Sequence, residues 1–119
     1  MKVTTRYCTL LVFVILFLSL QTFPQTHIPE KIQFKHLGRK DGLSEDIVRA
    51  LIQDSKEFMW IGTYDGLNRY DGQKFKVFKH SPTDPNSLGA NYVEVLFEDR
   101  SGTLWVGTGG GGLNRYNPE

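Results

Sequence analysis

Cysteine is almost missing from this sequence of 119 residues; the single copy, Cys8, lies in an apolar leader. No intrachain disulfide can form, so the fold must rest on packing. Cys8 also opens the hydrophobic run instead of closing it, which does not suit a lipid anchor. Histidine is nearly as scarce, and His27, His36 and His80 lack any spacing that would hold a metal. An excess of one charge is missing too, the formal net charge being +1. Without the first 25 residues, which hold Lys2 and Arg6 and no acid, twelve basic side chains face thirteen acidic ones. That balance leaves no basic stripe for nucleic acid and no acidic block for a solvated tail. No carboxylate pair, serine elbow or Cys-His arrangement points to catalysis. No catalytic residue, metal ligand or cofactor is therefore expected. Finally, the longest apolar stretch, residues 8–20, has 13 residues, against the roughly 20 that a membrane helix needs.

That stretch reads instead as a secretory signal, with Lys2 and Arg6 as its positive start and residues 10–18 (LLVFVILFL) as its core. A cleaved signal is favoured over a permanent anchor, although no small-x-small triplet marks the cut. Residues 21–31 carry two prolines and look like an extended lead-in. Glycine is plentiful, with twelve copies, which points to a turn-rich and mostly β architecture.

The deciding feature is an internal repeat. Leu43, Val48, Leu51, Asp54, Trp60, Gly62 and Thr63 recur as Leu88, Val93, Leu96, Asp99, Trp105, Gly107 and Thr108, an offset of 45 residues. After one inserted residue, Leu67-Asn68-Arg69-Tyr70 recurs as Leu113-Asn114-Arg115-Tyr116. Such a period fits four-stranded propeller blades of about 40–50 residues. Each copy divides into short strands. Residues 47–53 alternate, with Val48, Ala50 and Ile52 on one face, and the second copy is expected to put Val93, Val95 and Phe97 there. A helical reading of 43–55 also fits the spacing, but its β-branched and aromatic counterpart at 92–97 does not. Residues 59–61 and 104–106 are apolar on both faces, as in a strand sandwiched between blades. Residues 67–70 and 75–79 complete the first copy, and Lys74, Lys76 and Lys79 suit an outermost strand. Asp71-Gly72 marks a hairpin. Ser101-Gly102 turns the second copy where the first has Glu57, which places Glu57 at positive φ if both turns share one geometry.

These residues make the chain resemble the two-component regulator propeller repeat, whose pattern runs roughly D-x-x-G-x-L-W-[IV]-G-T-x-x-G-L-x-R-[YF]. Asp99, Gly102, Leu104, Trp105, Val106, Gly107, Thr108, Gly112, Leu113, Arg115 and Tyr116 match it. So do Asp54, Trp60, Ile61, Gly62, Thr63, Gly66, Leu67, Arg69 and Tyr70, with a departure at Glu57. The resemblance implies an all-β fold, a partial β-propeller of about two four-stranded antiparallel blades after an N-terminal signal helix. The expected divisions are a signal peptide at 1–25, a lead-in at 26–42, one blade at 43–80 and an incomplete blade at 81–119. The lead-in includes a strand at 32–36 that closes the last blade of a ring. The sequence stops after the third strand of its second blade, which reads as an N-terminal fragment.

In function, the resemblance implies the periplasmic sensor region of a hybrid two-component system, in a parent anchored in the inner membrane and carrying a histidine kinase. Its implied partners are an oligosaccharide or other small ligand, the remaining propeller blades and, for the parent, a second copy of itself. Nucleic acid is not among them, and the membrane enters only through the signal or a downstream helix. A fragment of an exported polysaccharide-degrading propeller enzyme and a plain interaction scaffold are the alternatives.

Within the motif, Trp60 and Trp105 read as inter-blade core rather than sugar platforms. Asn68, Arg69, Asn114 and Arg115 recur, which suggests structural bonds within each blade. The Gly109–Gly112 run has no following Lys-Ser/Thr and reads as a hairpin, not a phosphate cradle. Residues 81–90, a loop between blades, are the expected ligand-contact region, although no particular residue there is marked out.

Overall fold

The computed structural model of the protein describes residues 31–118. The expected signal peptide at 1–25 and its helix lie outside the described residues. The chain divides after Phe34, and every strand belongs to the second unit.

Four strands form the first sheet: β1 (Val48–Gln53), β2 (Met59–Thr63), β3 (Gly66–Tyr70) and β4 (Phe75–Phe78). Three form the second: β5 (Val93–Glu98), β6 (Leu104–Thr108) and β7 (Gly112–Arg115). Both are antiparallel meanders in chain order, joined by tight turns. The architecture is all-β, two propeller blades side by side. The only other regular element among the described residues is a short 3-10 turn, Arg39–Asp41. β4 lies at an edge of its sheet, where Lys76 and the flanking Lys74 and Lys79 are solvated.

Residues 32–36, expected to close the last blade of a ring, are not paired as a strand here. Ile32 and Phe34 are exposed, and no described strand pairs with them. A strand exists only where a neighbour takes its backbone hydrogen bonds, and the blade that these residues are expected to close is not among the described ones.

The register shows how the blades meet. Ala50, Gly62, Leu67 and Phe78 stand opposite one another across the first sheet, as do Ile52, Trp60, Arg69 and Lys76. Both rows lie on one face, because alternate residues of a strand point the same way. That face packs on Val93, Leu96, Leu104 and Val106 of the second sheet. Trp60 is 1% exposed, its ring 4.8 Å from that of Tyr116 and 5.8 Å from that of Phe78. Gly62 is required by the closeness of the sheets: a Cβ there would stand 2.5 Å from Val93 Cγ1. Each Val or Leu buried in this seam contributes roughly 1.5–3 kcal/mol.

One expectation about faces is corrected. Val93 is fully buried, whereas Val95 and Phe97 are 58% and 60% exposed. The reason is a β-bulge: the register slips between Val93 and Val95, and likewise between Val48 and Ala50. The extra residue shifts the strand's leading valine off the face that its alternation suggests. Ile47 precedes β1 and is exposed.

Candidate functional site

The repeat motif builds the frame. In the first blade, Asp54 Oδ1 accepts the backbone N–H groups of Lys56 and Phe58, and its Oδ2 accepts the Trp60 Nε1–H at 2.6 Å. In the second, Asp99 accepts from Ser101, Thr103 and Trp105 Nε1. The Ser101 hydroxyl and then the Trp105 indole hold the Asp99 carboxyl well below the usual carboxylate range, because both donate to the charged form. One carboxylate thus shapes the β1–β2 or β5–β6 turn and aims the tryptophan that follows. Glu57 and Gly102 sit in the same place in the two turns, at φ 68° and 80°. The backbone N–H of each donates to the carbonyl of Asp54 or Asp99.

Thr63 and Thr108 each donate a hydroxyl to the carbonyl of Gly66 or Gly112, closing the next hairpin. Asn68 is fully buried; its Oδ1 accepts the Ser44 N–H, and its Nδ2 donates to Ser44 Oγ and the Ile61 carbonyl. Asn114 repeats this with Gly89 N–H and the Val106 carbonyl. The asparagines therefore tie each blade's lead-in to its middle strands. The arginines beside them do something else. Arg69 lies over the Phe58 ring at 4.4 Å, and Arg115 is exposed. Neither makes a side-chain hydrogen bond or ion pair among the described residues. Tyr70 donates its hydroxyl to the Gly72 carbonyl, whereas Tyr116 packs on Trp60. Trp105, the counterpart of Trp60, is half-buried on the open face. Gly107 and Leu113 lie on that face too, Leu113 being 67% exposed.

The carboxylates of Asp54 and Asp99 are thus spent on turns. Among the described residues no three His, Cys, Asp or Glu side chains gather as a metal site would require.

Two places remain open to a ligand. The first is a cleft of about 1040 Å³ between the outer parts of the sheets, floored by Leu67, Phe78 and Val106 and flanked by Lys76 and Arg115. The loop at 84–88 lines one side. This loop is tied internally: the Ser87 hydroxyl donates to the Asp84 carbonyl at 2.7 Å, with the Ser81 carbonyl 3.1 Å away, and Asp84 Oδ1 accepts the Asn86 N–H. The cleft runs along the free edge of β7, the position that β4 occupies beside β3.

The second lies at the end of the blades that carries the β2–β3 turn and the link from β4 to β5. Antiparallel order puts those two connections together, and Lys79 to Asp65 (2.6 Å), Asn91 to Asp65 (3.3 Å) and Gly66 N–H to the Asn91 carbonyl (2.8 Å) join them. There Tyr64 of the turn stacks on Tyr92 of the link, with ring centroids 4.6 Å apart and planes 13° from parallel. The Arg49 guanidinium lies 5.6 Å from the Tyr64 centroid and 5.9 Å from that of Tyr92. The adjacent Tyr64 hydroxyl is the largest influence raising the pKa of the Tyr92 hydroxyl, with burial second. Arg49 and Glu94 are the extra residues of the two bulges, and both are exposed. Reading the sequence for repeats passes over Arg49, Tyr64 and Tyr92, because each is a position where the copies differ.

A family model described as "Two component regulator propeller" matches residues 42–65 and 87–110. Histidine kinase P4 of Formosa agariphila is 42% identical over 55 residues, 46% of this chain and 4% of that protein. Among solved structures, the extracellular domain of the putative hybrid two component system BT3049 from B. thetaiotaomicron matches with a TM-score of 0.65 and 31% identity. The match covers 70% of this chain and 12% of that one. The corresponding domain of BT4673 matches at 0.51 and 30%, over 61% of this chain and 10% of that one. The chain thus spans a small part of each relative.

Proposed function

This chain belongs to the two-component regulator propeller family through both of its repeats, and from that premise we propose that it forms an arc of a ligand-sensing propeller in an extracytoplasmic receptor. The solved relatives are extracellular domains of hybrid two-component systems, which supports the same side of the membrane for these blades. The observation that carries the reading is the shared blade frame: 31% identity and a TM-score of 0.65 to one such domain, over 70% of the chain. The ligand of the reading is an oligosaccharide released by polysaccharide breakdown, met by loops at one end of the blades. Signal relay then falls to a histidine kinase in the same receptor, reached through a membrane helix.

The experiment is calorimetric titration of the full-length protein with a panel of neutral and acidic oligosaccharides, paired with a kinase-dependent reporter in cells. Saturable binding of one glycan class that also switches the reporter is expected. Failure of the whole panel, with the reporter answering to a non-carbohydrate molecule, would overturn the ligand class.

A further inference from the structure

We propose that Arg49, Tyr64 and Tyr92 form a contact site for a sugar that bears an anionic group, a uronate or a sulfate ester. The inference rests on the sensing function proposed above and assigns residues and ligand chemistry to it. It starts from the difference between the two copies. Positions that hold the blades together recur: Asp54 as Asp99, Trp60 as Trp105, Thr63 as Thr108, Asn68 as Asn114. Positions that break the repeat are free of that duty. Arg49 is replaced by Glu94, Tyr64 by Gly109 and Tyr92 by Ile47. Scattered, such differences would carry no message. Here Arg49, Tyr64 and Tyr92 come together on one exposed surface, at the junction of two blades.

Their chemistry is complementary to one kind of ligand. Arg49 is turned out of the β1 ladder by the bulge, a feature that re-aims side chains. Its guanidinium is steadied by two aromatic rings and makes no hydrogen bond or ion pair among the described residues. The planar fork of N–H donors is therefore held ready, and it matches a carboxylate or sulfate in geometry. Tyr64, 43% exposed, offers an aromatic surface and a hydroxyl, as suits a ring with one apolar and several polar edges. Glu94, exposed at the neighbouring bulge, can accept sugar hydroxyls. Lys79 at this end is tied to Asp65, which leaves Arg49 as the cation there without an ion pair among the described residues; with Glu94 exposed at the neighbouring bulge, that favours a ligand of both anionic and hydroxyl character over a polyphosphate or a neutral glycan.

The test is titration of the full-length protein with an acidic oligosaccharide and its neutral counterpart, using wild type, Arg49→Gln, Tyr64→Ala and Arg100→Gln. Arg100 is exposed in the turn at the opposite end of the second blade and controls for charge. The expected result is preference for the acidic glycan and a loss of about tenfold or more in Arg49→Gln, the size of one charge-assisted hydrogen bond. Arg100→Gln should bind as wild type does. Tyr64→Ala should weaken both glycans. Arg49 is exposed, so an unchanged melt of Arg49→Gln keeps the comparison valid if Tyr64→Ala folds poorly. Glycan binding that is unaffected by Arg49→Gln overturns this site and leaves the sensing function standing. Absence of glycan binding overturns both this site and the oligosaccharide reading of the ligand.

Discussion

Asp54 and Asp99 each gather two backbone N–H groups and an indole N–H. A chain that must place a large tryptophan at the centre of a seam thereby fixes its rotamer from within its own hairpin. In the first blade the same hairpin forces Glu57 into the left-handed region at φ 68°. A side chain there costs about 1 kcal/mol relative to glycine. Glu57→Gly should accordingly leave the melting temperature unchanged or raise it, as thermal denaturation followed by circular dichroism would show; a clear fall would mean that the Glu57 side chain contributes something the turn geometry does not reveal. This strain was legible in the sequence, because Gly102 marks the same position in the other copy. Arg49, Tyr64 and Tyr92 were not. Their juxtaposition depends on a bulge and on which loops share an end, and neither leaves a mark in a single strand's pattern.

Strands show the same division. Alternation and the 45-residue offset locate all seven of them, since the side-chain period of 2 is local chemistry. Which face is covered is not local. Val95 and Phe97 look like core residues in sequence, yet they lie on the open side of the second sheet, while Ala50 and Ile52, their counterparts, lie against a neighbour. Residues 32–36 alternate too, and without a partner they stay unpaired. The contrast between Gly62 and Gly107 tests this account of the faces. Gly62→Ala would drive a methyl group into Val93 across the seam and should cost about 1–3 kcal/mol. At Gly107 the added carbon would stand 3.2 Å from Val95 Cγ1, within its own sheet and on the open face. Gly107→Ala should therefore cost clearly less, as urea unfolding of the two variants would report. Equal costs would mean that the sheets do not pack as described.

For the whole molecule, the two outer faces are the central fact. The first sheet presents Leu51, 57% exposed, and Val77 on the side away from its neighbour; the second presents Val95, Phe97 and Leu113. Within the chain, a face of the second kind already docks on a face of the first kind, because the blades are repeats. A further blade on either side would reproduce the Trp60 seam, and a second copy of the chain can offer one. Such contacts are head to tail and extend until a ring closes. The most direct test of this propeller arc is light scattering on residues 31–119 across a range of concentrations. The account predicts self-association that grows with concentration and is suppressed when Phe97 and Leu113 are both changed to Glu. A monomer at every concentration that melts cooperatively would contradict it.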